Sequence, residues 1–162
     1  VREAAPVAAP FLPARGEGGP PARSAPAAAP RPGARTVLVV DDNEAPRRAL
    51  GYVLERAGFA VVEAADGEEG VREARRGAPG LVLMDLSMPV MDGWAATRQI
   101  QRDRQEAGGR VPVVAITAQI LSPLEQSEAA LLFDEVLAKP VTAARLIETV
   151  ERLLATSQAE AE

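Results

Sequence analysis

The residues with chemistry to offer fall in four short segments: Asp41-Asp42, Asp85, Thr117 and Lys139. Each follows a short, mostly apolar run: Val37-Leu38-Val39-Val40, Leu81-Val82-Leu83-Met84, Val113-Val114-Ala115-Ile116 and Glu135–Ala138. Taken singly, none is informative. An Asp pair after a strand is an ordinary turn or helix cap, and an Asp ahead of Leu-Ser-Met-Pro is an ordinary turn starter. A threonine ends many strands, and a lysine is usually a solvated charge. The joint pattern, one reactive residue type at each of four strand ends, is what calls for a common site.

The chemistry of such a site follows from its charges. Three carboxylates facing one crevice repel one another and raise one another's pKa unless a cation intervenes. Lys139 supplies one positive charge, so a divalent hard cation is expected to neutralise the rest. With oxygen ligands alone and few carboxylates, Mg²⁺ is the natural choice, because it keeps waters and accepts a phosphoryl oxygen. An Asp can serve as a nucleophile and form an aspartyl phosphate. A phosphoryl group placed there needs a metal, a lysine and a hydroxyl donor on its oxygens. The four segments offer all three.

Composition removes the alternatives. The chain of 162 residues has no cysteine and no histidine. Disulfides, thiolate nucleophiles, cysteine-ligated zinc, histidine bases and phosphohistidine chemistry within this chain are excluded. The net charge of -5, with no basic stripe, argues against nucleic-acid binding by this chain. No apolar run reaches the roughly 18 residues of a membrane span.

The elements that must position these residues alternate strand and helix. The apolar run Thr36–Val40 predicts a first strand. A helix over 44–57 follows, with Pro46 in its first turn and Leu50, Val53, Leu54 and Ala57 at helical spacing. Gly58 suits a left-handed stop. A second strand is expected over Phe59–Ala64, then a helix near 66–76 capped by Asp66 and closed by Gly77. Leu81–Met84 is the third strand, followed by a helix over 93–106 and the fourth strand Val113–Ile116. Ser122-Pro123-Leu124-Glu125 reads as a capping box with proline at the first helical position. Strand Glu135–Ala138 and a last helix capped by Thr142 complete five βα units. Trp94 is expected as a half-buried helix residue. Repeated βα units with apolar strands imply a parallel sheet covered on both faces. The expectation is a doubly wound α/β sheet of five strands in order 2-1-3-4-5.

Residues 1–35 differ in kind. They hold 11 Ala, 8 Pro and 4 Gly, and five Arg against two Glu. Such a segment buries too little apolar surface to offset its ordering entropy, so a disordered, partly extended linker is expected. It lacks the continuous apolar region of a targeting peptide, and its prolines break any amphipathic helix. The domain is expected over 36–155, with 156–162 as a solvated tail.

Together Val37-Leu38-Val39-Val40-Asp41-Asp42-Asn43, Leu83-Met84-Asp85-Leu86-Ser87-Met88-Pro89-Val90-Met91-Asp92-Gly93, Ile116-Thr117-Ala118 and Leu137-Ala138-Lys139-Pro140 resemble the receiver domain of bacterial two-component response regulators. The resemblance covers about 36–155 and implies the flavodoxin-like (βα)5 arrangement. It implies that Asp85 is the phosphoacceptor, that Thr117 is the switch hydroxyl and that Lys139 pairs with the phosphoryl group. It also implies that Asp41, Asp42, Asp85 and the backbone carbonyl of Ser87 hold Mg²⁺, and that the Lys139–Pro140 bond is cis. The implied partner is a sensor histidine kinase or a histidine phosphotransfer protein, with no nucleic acid or membrane bound by this chain and a cytoplasmic location. The chain is then a phosphoprotein of a phosphorelay, which catalyses its own Asp phosphorylation and dephosphorylation but is not a kinase. Two positions depart from the family pattern. Val136 stands where an aromatic residue is usual, and Leu132 stands where a glycine is usual, so the relay surface is altered. The Val start and the Ala/Pro tail fit a C-terminal receiver of a hybrid sensor kinase, or else a stand-alone receiver. Two rivals are a haloacid-dehalogenase-like phosphatase, which wants an Asp where Asn43 stands, and a docking module that is never phosphorylated.

Overall fold

The structure, a computed structural model, describes residues 33–160. Most of the expected linker over 1–35 lies outside the described residues, as do the last two residues of the expected tail. Residues 33–35 form a turn in which Thr36 N donates to Gly33 O at 2.9 Å.

Five strands and five helices alternate. They are β1 (Thr36–Val40), α1 (Glu44–Arg56), β2 (Ala60–Ala64), α2 (Gly67–Gly77), β3 (Leu81–Asp85), α3 (Gly93–Glu106), β4 (Val113–Thr117), α4 (Pro123–Leu132), β5 (Glu135–Ala138) and α5 (Ala143–Glu160). All strand pairs are parallel, in the order β2-β1-β3-β4-β5. The expected order holds: the crossovers β1 to β2, β3 to β4 and β4 to β5 join neighbouring strands, and the one from β2 to β3 passes over β1, so the sheet grows first on one side of β1 and then on the other.

The period-2 geometry of the strands divides the apolar residues between two faces. Leu38, Val40, Val82, Met84, Val113 and Ala115 pack with α2, α3 and the end of α4 through Val71, Ala74, Ala96, Ile100 and Phe133. Val37, Val39, Leu81, Leu83, Val114 and Ile116 pack with α1 and α5 through Leu54, Leu146, Val150 and Leu154. Each fully buried Val or Leu contributes about 1.5–3 kcal/mol of apolar transfer free energy. β3 and β4 are buried along their whole length, as central strands must be, while the edge strands β2 and β5 are only partly covered.

The helix starts follow the local chemistry. Asn43, Asp66, Asp92 and Ser122 each accept a backbone N–H of the first turn, and Ser122 with Glu125 closes the capping box. Thr142 Oγ1 accepts from Arg145 N at 3.2 Å at the start of α5. Gly58 is left-handed, with φ 95°.

Several boundaries differ from expectation, and three of the differences have a local cause. Phe59 is not in β2, because its N–H closes the end of α1 on Leu54 O at 3.1 Å. Gly77 is the last residue of α2 rather than its stop, and Ala78 takes the left-handed conformation at φ 41°. Pro79 bars Ala78 from the right-handed helical region. Helix α5 runs to Glu160, past the expected domain end at 155, since no glycine or proline interrupts 143–160. Among the described residues, no helix is long and apolar enough to cross a membrane.

Candidate phosphoacceptor and metal site

The carboxyl ends of β1 and β3 lie side by side, with Val40 opposite Met84. This register brings the residues that follow β1 beside the end of β3. Asp41, Asp42 and Asp85 each place a carboxylate oxygen within 4.8 Å of the others. Asp41 and Asp85 are buried, at 2% and 7% exposure, and Asp42 is exposed.

Lys139 comes from the end of β5, 98 residues away from Asp41 in the chain. Its Nζ donates to Asp41 Oδ2 at 3.2 Å and lies 3.8 Å from Asp85 Oδ2. The Lys139–Pro140 peptide is cis. Asp41 Oδ1 accepts from Asn43 N at 2.9 Å, and Asp85 Oδ1 accepts from Ser87 N at 3.2 Å. Burial pushes the Asp85 carboxyl above the usual carboxylate range. The Ser87 N–H and the Lys139 ammonium pull it down, and Asp41 and Asp42 push it up again. The pocket therefore resists ionising Asp85 on its own, the condition in which an added cation gains most.

Thr117 ends β4 and is buried, one strand over from Asp85. Its Oγ1 accepts from Gln119 N at 3.0 Å, so the hydroxyl is engaged with its own loop rather than with Asp85. Of the expected site residues, Asp41, Asp42, Asp85 and Lys139 are brought into one cluster. Ser87 adjoins it through its amide, and Thr117 stands at its rim.

The loop that carries Ser87 is clamped by two glycines. A Cβ on Gly93 would lie 2.1 Å from Asp85 O, and one on Gly67 would lie 2.4 Å from Met91 O. Both obstacles are backbone, so neither can move aside cheaply. Between them, Met91 N donates to Pro89 O at 2.8 Å, a three-residue turn with Val90 at φ 70°. That conformation is unfavourable for a β-branched residue. It is not legible in the sequence, where Pro89-Val90 reads as plain loop.

Arg47 is the residue that sequence reasoning missed. Its Nη1 donates to Asp41 O at 2.9 Å, and its Nε lies 3.8 Å from Glu63 Oε1. Arg47 and Arg48 both fall early in α1, so the sequence carries no signal that tells which of them turns inward. Trp94 is half-buried, as expected, and packs edge-on against Phe133 with ring centroids 5.2 Å apart.

The three carboxylates fit a hard divalent cation. They are oxygen donors only, they converge from two adjacent strand ends, and one of them is exposed, leaving room for waters to complete an octahedral shell.

The chain is similar to known proteins in sequence and in fold. Residues 37–151 match the response regulator receiver domain model. The protein PilH of Pseudomonas aeruginosa is 33% identical over 119 residues, covering 74% of this chain and 97% of that protein. The peroxide stress-activated histidine kinase mak1 of Schizosaccharomyces pombe is 36% identical over 123 residues, 74% of this chain but 8% of that kinase. Among solved structures, the receiver domain of a sensor histidine kinase from Pseudomonas aeruginosa has a magnesium ion coordinated in its active-site cleft. It is 34% identical, with a TM-score of 0.66 over 75% of this chain and 98% of that one. The chemotaxis protein CheY4 of Vibrio cholerae is 28% identical, with a TM-score of 0.66 over 73% of this chain and 97% of that one. With the fold, the strand-end carboxylates and these matches in agreement, the chain belongs to the response regulator receiver domain family and is a phosphorylation-dependent signalling receiver.

Proposed function

We propose that Asp85 is the phosphoacceptor and that the donor is a phosphohistidine on a sensor histidine kinase or a histidine phosphotransfer protein. Receiver domains take phosphoryl groups from histidine kinases. The observation that carries the assignment to this residue is the cluster itself: Asp85 lies with two further carboxylates within 4.8 Å and faces the Lys139 ammonium across 3.8 Å. In the transfer, an Asp85 carboxylate oxygen forms a bond to phosphorus as the phosphorus–nitrogen bond breaks. The electron pair of that bond leaves on the imidazole nitrogen. Lys139 balances charge on the transferred group, and Thr117, whose hydroxyl proton is not committed to its Gln119 partner, donates to a phosphoryl oxygen. Attack by water on the phosphorus then returns the carboxylate and inorganic phosphate.

Asp41, Asp42, Asp85 and the Ser87 carbonyl are the residues that would hold Mg²⁺. Once bound, it would neutralise the excess negative charge of the crevice and of the incoming phosphoryl group.

The test is labelling with a small phosphodonor such as acetyl phosphate in the presence of Mg²⁺. Stoichiometric, acid-stable and base-labile label is expected, lost entirely in Asp85→Asn and much slower in Asp41→Asn. Label persisting at full stoichiometry in Asp85→Asn would sink the assignment. No label in the unmodified chain would favour a docking module, the reading to which Val136 and Leu132 point.

A further inference from the structure

Two arginines adjoin at the start of α1, and they are treated very differently. Arg48 pairs with Glu44 on the surface, with both side chains about two-thirds exposed at 69% and 65%. The Arg47 side chain is only 13% exposed and is folded back over the end of β1. Neither the helix dipole nor solvation explains that placement, since a cation near a helix N-terminus is disfavoured and burying a guanidinium is costly. What Arg47 reaches is the backbone carbonyl of Asp41, at 2.9 Å.

That carbonyl lies one residue beyond the last paired position of β1, so the sheet ladder does not serve it. It belongs to the same rigid peptide plane as the N–H of Asp42. Fixing it therefore fixes the position of the Asp42 Cα, from which the side chain leaves the chain. Asp41 has its own restraints, through Asn43 N and Lys139 Nζ. Asp42 is exposed, and among the described residues its carboxylate accepts no hydrogen bond, so the restraint nearest to it is the peptide plane that holds its Cα. The guanidinium charge is itself matched by Glu63 on β2, at 3.8 Å. The pair adds little net charge to the crevice.

We propose that Arg47 is a positioning residue for the divalent-cation site: its guanidinium, braced by Glu63, holds the Asp41–Asp42 peptide so that both carboxylates face Asp85. The proposal rests on the reading of the three carboxylates as a Mg²⁺ site.

The sign of one measurement separates position from charge. Removing a cation next to a cation site favours Mg²⁺ by Coulomb's law. Removing a positioning contact weakens Mg²⁺, by about tenfold for a residue that orients ligands from outside the coordination shell. Mg²⁺ is titrated into the intact chain without phosphodonor, following the amide shifts of residues 41–43 and 85–87. Arg47→Ala is expected to raise the Mg²⁺ dissociation constant about tenfold. Arg47→Lys recovers part of the loss, and Glu63→Gln gives a smaller loss in the same direction. The melting temperature without Mg²⁺ is expected to change little in Glu63→Gln and Arg47→Lys, which keeps the test available if Arg47→Ala folds poorly. Unchanged or tighter Mg²⁺ binding in Arg47→Ala overturns the proposal, as does wild-type affinity in both of the milder variants. Absence of Mg²⁺ binding in the unmodified chain instead overturns the metal site on which it rests.

Discussion

The acidic crevice between β1 and β3 and the cleft between α4 and β5 are near neighbours at the carboxyl edge of the sheet, and they are built on opposite plans. In the crevice nearly every polar group is held. Asp41 is fixed by Asn43, Lys139 and Arg47, Asp85 is fixed by Ser87, and the loop beyond it is wedged against Gly93 and Gly67. The cleft is loose. It encloses about 520 Å³ lined by Thr117, Leu121, Ala129, Phe133 and Val136 among others. Of the ten residues of α4 only Ala129 is buried, whereas α2 buries four of its eleven. Ile120, Leu124 and Leu131 are 98%, 71% and 91% exposed. The contrast is one of rigidity. Chemistry needs its groups fixed before the reaction. An element with few contacts to lose can instead be shifted by a small free energy. Thr117 touches both, ending β4 beside the crevice and lining the cleft.

The sharpest way to break this comparison is to unseat the crevice. Gly93→Ala drives a methyl into the Asp85 backbone and is expected to cost about 3 kcal/mol, the upper range for overpacking. Denaturant unfolding measures it, and phosphodonor labelling should fall with it. Stability within 1 kcal/mol of the unmodified chain, roughly the ordinary surface effect and its error, would show that the loop is not wedged.

Asp85→Asn reads the electrostatic cost of the same site. The Asp85 carboxyl titrates above its ordinary range in the folded chain, so folding favours its protonated form. Stability from this group is therefore greatest below the ordinary carboxylate pKa. It falls as pH rises through the raised value, and stays low above it. Without divalent cation, Asp85→Asn should melt several degrees higher at neutral pH, with a flatter pH dependence above the carboxylate range. Added Mg²⁺ should raise the melting temperature of the unmodified chain and narrow the gap, because it binds only the folded state. An Asp85→Asn variant that melts lower than the unmodified chain at neutral pH without metal would contradict this account.

A smaller effect is expected at Val90. Its side chain is 85% exposed and its backbone is left-handed, so it contributes strain without burial. Val90→Gly should stabilise the fold by about 1 kcal/mol, the low end of the cost of such a conformation. A loss of stability would mean that the valine makes a contact worth more than its strain.

The smallest effect belongs to the cleft side. Leu131→Ala should change stability by less than about 0.5 kcal/mol, as an exposed substitution does. A cost above 1.5 kcal/mol, about that of deleting buried methylenes, would mean that the α4 face is covered in solution.

The elements were legible because their signals are local. Apolar runs specify β1, β3 and β4, and Asn43, Asp66, Asp92 and Ser122 cap helices through backbone groups two or three residues away. The βα alternation then leaves few topologies, so the strand order and the strand-end location of the site follow from sequence as well. Asp41, Asp42, Asp85, Thr117 and Lys139 could be placed at one edge on that basis alone.

Tertiary structure decided what depends on distance through space and on the last fraction of a turn. That Lys139 lies 3.2 Å from Asp41 rather than in solvent is set by β4 and β3 standing between β5 and β1 at a fixed spacing. That Arg47 turns inward while Arg48 turns outward is a matter of helix phase against the end of β1, which no composition or spacing rule resolves. That Ala78 and Val90 accept left-handed backbone, with no glycine to mark the places, follows from the chain having to enter β3 and α3 at positions fixed by the packed core around them. A sequence states local preferences. The close-packed interior decides which of them yield, because a shift of an ångström there costs more than the strain of a single residue.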